Sequence, residues 1–302
     1  MRSTFAIPAP LEPGDVVAVV APSGRFPAGD LWRGLAWLRS RYRLRIDPGV
    51  FECDGYLAGN DERRRVELDR ALRDPDAKAI VAVRGGYGAT RIADELPWDA
   101  IANRPRWIVG FSDVTALHAM AWRAGIASVH GPNVTGLGPQ APRVRAAWLA
   151  AVERPTAPRV WRGLRVLHRG QGGQARGPLV GGNLSILHAM AAAGRLAIPP
   201  GAILALEDVT EAPYRIDRML TSLRVGEHLA QVSAIVLGGF DRCVPGPDGR
   251  TAEDVLAERT RSLGVPVLAG APFGHAPHNE AFVLGQTARV EDDAVTLAAG
   301  GA

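Results

Sequence analysis

The chain has 302 residues, 47% of them hydrophobic and 22% charged, with a formal charge of +4. This composition excludes disordered and collagen-like classes, and the length exceeds one comfortable hydrophobic core, so two domains are expected. The basic balance is not a nucleic-acid footprint: Lys78 is the only lysine, and the arginines are scattered among Asp and Glu where a binding face would cluster them.

The densest basic run, Arg63-Arg64-Arg65, lies between Asp61, Glu62 and Glu67 and reads as a solvated helix face. Cys53 and Cys243 are far apart and lack the spacing of a metal site or redox pair, so two reduced thiols are expected. Residues 1–13 hold no apolar core of signal-peptide length, and no stretch approaches 18 apolar residues, so the expectation is a cytoplasmic protein without a membrane span.

In chain order, Val16–Val20 reads as a buried strand ending in the turn 21–24. Helical periodicity follows over 28–41, and a second helix over 61–73. Residues 79–83 form a strand running into Arg84-Gly85-Gly86-Tyr87-Gly88, a helix begins at 89–95, and 107–109 is a further strand. Continuous apolar strands alternating with helices predict a doubly wound, mostly parallel sheet, whose ligands bind at the carboxyl ends of the strands. That rule selects the loops 21–24, 84–88 and 110–113. The pattern breaks near residue 140, and 151–177, rich in Pro, Arg, Gly and Gln, is expected to link domains over 1–150 and 178–302. In the second domain a short strand leads to Gly181-Gly182-Asn183 and a helix. A strand at 202–207, a helix at 213–224, a strand at 234–237, a helix at 251–263 and a strand at 265–268 follow, and 282–298 alternates like exposed antiparallel strands. The fold class expected is α/β, with a smaller C-terminal α/β domain of mixed or barrel-like sheet.

The strongest local signal is Trp107-Ile108-Val109-Gly110-Phe111-Ser112-Asp113-Val114, a strand running through a glycine into a serine at a helix start. This is nucleophile-elbow geometry, although Val114 stands where a second glycine would complete the pattern. On this segment alone a capping serine is the commoner identity, because caps outnumber nucleophiles. The glycines at 85–88 can form an anion nest or simply a tight turn. Among the seven histidines, His275 follows a strand in Pro272-Phe273-Gly274-His275, where a general base belongs. Glu207 ends the apolar strand Ile203-Leu204-Ala205-Leu206 and is either a functional carboxylate or a helix N-terminal acid.

Six segments in order, VAVVAPSG, VRGGYGATR, GFSDVTALH, GGNLSIL, LEDVTEAPYRIDRMLTSL and FGHAPHNEAFVLG, span residues 16–285. Together they resemble the LD-carboxypeptidase family of serine peptidases, which also includes microcin C self-immunity proteins. The resemblance implies a triad of Ser112, Glu207 and His275, an oxyanion hole from the backbone N–H groups of Gly86 and Asp113, and a site in the cleft between domains. Arg84, Gly85, Tyr87 and Asn183 are the candidates for holding substrate. One departure is Phe282-Val283-Leu284-Gly285, where the family often has a Leu-Pro pair before its last Leu-Gly. No cofactor or metal is implied, and a homodimer is expected.

Three readings follow. The first is a murein LD-carboxypeptidase removing the terminal D-alanine of tetrapeptides in peptidoglycan recycling. The second keeps the chemistry on peptidyl- or aminoacyl-nucleotides, with Trp161 as the one tryptophan of the unmatched segment able to stack a base. The third is a non-hydrolytic ligand-binding α/β protein.

Overall fold

The computed structural model describes residues 5–298. It divides into two compact units, one of residues 5–155 with 280–283, the other of residues 156–279 with 284–298.

In the first unit β1 (Val16–Val20), α1 (Ala28–Arg39), β2 (Arg43–Ile46), α2 (Asp61–Arg73) and β3 (Ala77–Ala82) follow in turn. After them come the short helices α3 (Ala89–Ile92) and α4 (Trp98–Asn103), then β4 (Trp107–Gly110), α5 (Thr115–Arg123), β5 (Ser128–His130), α6 (Val134–Leu137) and α7 (Pro142–Glu153). In the second unit come β6 (Arg159–Trp161), β7 (Arg165–His168), β8 (Gln174–Asn183), α8 (Leu184–Ala192), β9 (Ile203–Val209) and α9 (Pro213–Val225). They are followed by β10 (Ala234–Asp241), α10 (Ala252–Arg261) and β11 (Val267–Ala269). Next is β12 (Phe282–Leu284), which joins the first unit's sheet, and β13 (Thr287–Glu291) and β14 (Ala294–Leu297) complete the second unit.

The first sheet has the order β12-β5-β4-β3-β1-β2, and its pairings from β2 through β5 are parallel. This is the 2-1-3-4-5 order of a doubly wound sheet, with its switch point between β1 and β3, where such sheets bind their ligands. Val17, Val19, Val81, Trp107 and Val109 supply the core side of the strands, packed against Leu31, Leu35 and Leu38 of α1 and Trp148 of α7. The second sheet has the order β6-β14-β13-β8-β9-β10-β11-β7. Its four central strands, β8 to β11, are parallel, and antiparallel strands flank them on both sides. The expected mixed α/β class holds.

Three local expectations change. Residues 282–284 are fully buried, and Phe282 stacks on His130 with ring centroids 5.0 Å apart, so the strand is a core element and not part of an exposed hairpin. Only 287–297 alternate as antiparallel strands with one wet face. The stretch 151–177 carries β6 and β7, which are the two edge strands of the second sheet. Strands of three or four residues with arginine on the wet face are too short to show a period. Finally, Arg64 is buried, so the run Arg63-Arg64-Arg65 is not a solvated face. Only Arg65 answers to that description, paired with exposed Glu62.

Helix α2 also ties itself to the end of β1. The carboxylate of Glu67 accepts the Ala21 N–H at 2.8 Å and faces the Arg63 guanidinium at 3.2 Å. Burial pushes the Glu67 carboxyl up to about 7, against the opposing pull of Arg63 and the Ala21 N–H. A carboxyl with a raised folded pKa binds more protons folded than unfolded between its ordinary value and 7, so it lowers stability as pH rises through that window. Glu67→Gln should therefore gain on the wild type by about 1–3 kcal/mol in unfolding free energy from pH 5 to pH 8. Urea unfolding at the two pH values measures this, and parallel pH profiles for the two proteins would contradict it.

Candidate active site

The loops at the carboxyl ends of β1 and β3 lock together by backbone bonds, and the Asp113 carboxylate ties the turn after β4 to Ala89. Val83 N–H donates to Val20 at 2.8 Å, and Gly24 N–H to Gly85 at 3.1 Å. Ser112 follows β4 at the start of a single 3₁₀ turn, Ser112–Val114, which leads directly into α5. Its φ is 64°, in the left-handed region where a residue with a Cβ is strained by about 1–2 kcal/mol. The cap position of that turn belongs to Phe111, which makes no side-chain cap bond. Ser112 is therefore an elbow residue and not a helix cap. The opposite wall is Gly85, where a Cβ would lie 2.8 Å from Ser112 Cβ, 2.9 Å from Ser112 Oγ and 3.3 Å from the Asp113 nitrogen. Only glycine leaves that space open beside both the hydroxyl and a backbone donor. Gly86 has φ 104°, so this loop, too, depends on glycine.

Asp113 contributes more than its amide. Its carboxylate is buried and accepts the Ala89 N–H at 2.8 Å, fastening the serine turn to the end of the glycine loop. Burial raises its pKa, opposed by the Ala89 bond and the nearby Arg64 charge. Beneath the elbow, His118 is fully buried and its Nε2 bonds the Gly110 carbonyl at 2.9 Å. Burial pushes it down to about 4, so it is a neutral structural histidine.

In the second unit, Glu207 lies at the end of β9 with no exposed surface, and its Oε2 is 2.7 Å from His275 Nδ1. A carboxylate so placed accepts the Nδ1 proton, which leaves the lone pair on Nε2 and makes that nitrogen the basic one. Gly274, at φ 120°, lets the His275 loop pass over Glu207, since a Cβ there would stand 3.2 Å from the Glu207 carboxylate. Phe273 anchors the same loop by accepting the Gly239 N–H at 2.8 Å and packing on Trp161, centroids 5.6 Å apart. Trp161 is thus buried in its own unit.

The neighbouring Asp208 has a separate task. It accepts bonds from Asn183 Nδ2 at 3.0 Å, Ser185 N–H at 2.9 Å and Val209 N–H at 2.8 Å. Burial, and then the Glu207 charge, lift its carboxyl to about 6 against those three donors. Asn183 is buried and caps α8, accepting from Ile186 N–H and the Ser185 hydroxyl. It is therefore engaged in holding β8 to α8. Arg84 and Tyr87 are exposed beside Gly85 and Gly86. Arg84 donates to the Arg25 carbonyl and enters no ion pair among the described residues, and Tyr87 packs on Tyr56 at 5.8 Å. Sequence reading missed Arg64, Asp208 and the Asp113 side chain. For Arg64 the available signal was helical spacing, because Arg64, Glu67, Leu68, Ala71 and Leu72 make one buried stripe on α2.

Residues 17–131 match the model of the LD-carboxypeptidase N-terminal domain, and residues 176–290 that of the LD-carboxypeptidase C-terminal domain. A murein tetrapeptide carboxypeptidase of Pseudomonas aeruginosa is 38% identical over 78% of this chain and 80% of its own. The microcin C7 self-immunity protein MccF of Escherichia coli is 25% identical over 97% of this chain and 95% of its own. The crystal structure of muramoyltetrapeptide carboxypeptidase from Oxalobacter formigenes superposes with a TM-score of 0.80 at 28% identity, covering 93% of this chain and 97% of that one. The chain belongs to the LD-carboxypeptidase family and is a serine carboxypeptidase.

Proposed function

We propose that this enzyme is a murein LD-carboxypeptidase, releasing the terminal D-alanine of tetrapeptides in peptidoglycan recycling, with Ser112, His275 and Glu207 as its triad. The observation that carries the residue assignment is the strained Ser112 elbow facing Gly85, together with the Glu207–His275 bond in the other unit. His275 Nε2 takes the Ser112 hydroxyl proton as Oγ attacks the scissile carbonyl. Glu207 holds the imidazole in the required tautomer and offsets the charge it gains. The tetrahedral oxygen is stabilised by the N–H groups of Asp113 and Gly86, His275 then protonates the leaving D-alanine amine, and water releases the acyl-enzyme. The substrate's terminal carboxylate calls for a cation. Arg84, exposed beside the glycine loop and outside any described ion pair, suits that role, with Gly85 and Tyr87 lining the approach. Asn183 fixes the end of β8, level with Glu207 on β9.

The higher identity to the tetrapeptide enzyme than to the self-immunity protein favours the peptide substrate. So does the burial of Trp161 against Phe273, which removes the aromatic face that a nucleotide base would stack on. We further propose a cytoplasmic location and a homodimer, the commonest assembly of soluble proteins. Light scattering that gives a mass near 32 kDa would show the dimer to be wrong.

Purified protein should release D-alanine from murein tetrapeptide, detected by mass spectrometry, and leave aminoacyl-nucleotides intact. The opposite preference would transfer the enzyme to the self-immunity branch. Ser112→Ala should lower kcat about 10⁴-fold or more and abolish labelling by a fluorophosphonate. Ser112→Ala and His275→Ala should each lose about as much as the double variant, because groups acting as one unit are not additive. Additive losses would separate His275 from the serine chemistry.

A further inference from the structure

Arg64 is a fully buried arginine on a helix of the first unit, and its guanidinium is spent almost wholly on backbone carbonyls. Nε donates to Gly59 at 3.2 Å, Nη1 to Gly88 at 2.8 Å and also to Pro22, and Nη2 to the Asp61 carboxylate. These acceptors come from the loop after β1, the loop before α2 and the loop after β3. A buried guanidinium is costly unless every donor is used, and here one rigid fork satisfies carbonyls from three separate segments. Two of those segments build the space around Ser112. Pro22 opens the turn whose Gly24 N–H holds Gly85, and Gly88 closes the loop that begins there. Gly86 lies between the two fastenings. The far end of the same loop is held by the Asp113 carboxylate on Ala89 N–H, and the Arg64 charge opposes protonation of that carboxylate.

We infer that Arg64 is a positioning residue that sets the glycine loop, and with it the Gly86 N–H, at the place where the tetrahedral oxygen forms. The inference rests on the reading of Ser112 as nucleophile and Gly86 as oxyanion donor. Arg64 touches no reacting atom; it acts through the Gly88 and Pro22 carbonyls. Misplacement of a catalytic group by about 1 Å costs on the order of a hundredfold in rate. Lysine keeps the charge but offers one compact ammonium, which cannot meet four acceptors spread around a planar fork.

The test compares wild type, Arg64→Lys, Arg64→Ala and Asp61→Asn. The readouts are kcat and KM on murein tetrapeptide, affinity for a peptidyl boronate that forms an anionic tetrahedral adduct with serine, and Tm. For Arg64→Lys we expect kcat to fall about 30- to 100-fold with KM within threefold, and boronate affinity to fall in step with kcat/KM. Methylguanidinium at millimolar concentration should restore kcat of Arg64→Ala at least tenfold. Asp61→Asn keeps an acceptor oxygen but removes the negative charge facing Arg64 Nη2, and because Asp61 is partly exposed the variant should fold and lose kcat severalfold without a change in KM. A lowered Tm with kcat per folded molecule and boronate affinity both within threefold of wild type would reduce Arg64 to a structural role and overturn the inference. So would a loss carried entirely by KM, or an Asp61→Asn variant with wild-type kcat. If wild type neither hydrolyses tetrapeptide nor takes fluorophosphonate at Ser112, the nucleophile reading itself fails. Wild-type activity with an unaffected Arg64→Lys sinks this inference alone.

Discussion

Ser112 is held in a backbone conformation that a serine avoids, and much of the first unit is arranged to keep it there. Its φ of 64° turns the hydroxyl out of the chain path at the end of β4, where an unconstrained serine would relax to a cap or a regular helical start. The restraint comes from both directions. Gly110 passes its carbonyl to buried His118, and Asn133 Oδ1 accepts the Phe111 N–H at 3.2 Å. The Asp113 carboxylate then grips Ala89. A strained residue persists only where its surroundings over-determine it, and here the fastenings lie within three residues of the serine on each side or act through its helix.

The doubly wound order supplies the room for this. Strands β2 and β3 lie on opposite sides of β1, which makes the carboxyl ends of β1 and β3 the switch point, and the loops that follow them meet there through the Gly24–Gly85 bond. The second unit repeats the logic with different chemistry. Its parallel strands β8, β9 and β10 end together, and their last residues are Asn183, the Glu207–Asp208–Val209 run and, on β10, the stretch from Gly239 to Asp241. Because successive strand residues point to opposite faces, Glu207 and Asp208 serve different partners although they are chain neighbours. Glu207 reaches His275 and Asp208 reaches the start of α8.

What the sequence disclosed follows from which forces leave a pattern. The central strands were legible because burial on both faces makes them continuous apolar runs, as in Val16–Val20 and Ile203–Leu206. Edge strands such as Arg43–Ile46 and Arg159–Trp161 bury only alternate residues over three or four positions and left no readable period. Ser112 was visible as a serine at a strand-to-helix turn, but pattern could not separate elbow from cap, since the distinction lies in the sign of φ. Arg64 was misread for a related reason. Charge along α2 suggested a wet face, while the i, i+3, i+4 spacing of Arg64, Glu67 and Leu68 assigned it to the dry one, and periodicity was the better guide.

Three buried carboxylates, Glu67, Asp113 and Asp208, share one design: each accepts a backbone N–H just after a strand or in the first turn of a helix, from Ala21, Ala89 and Ser185 respectively. In each case burial raises the pKa despite that bond, so the donors do not fully offset desolvation. Such acids lower the stability of the folded chain at neutral pH, and an amide or apolar side chain of similar size would leave it higher. What an ionised carboxylate adds is a short, directional grip on one N–H, which fixes a loop more narrowly than packing can. The strain at Ser112 and the buried charges of Arg64 and Asp113 therefore belong to one exchange, in which folding stability is given up for the placement of a few backbone donors. That exchange is concentrated around the strand-end loops, while the strands beneath them are almost purely aliphatic and carry the stability the loops give away.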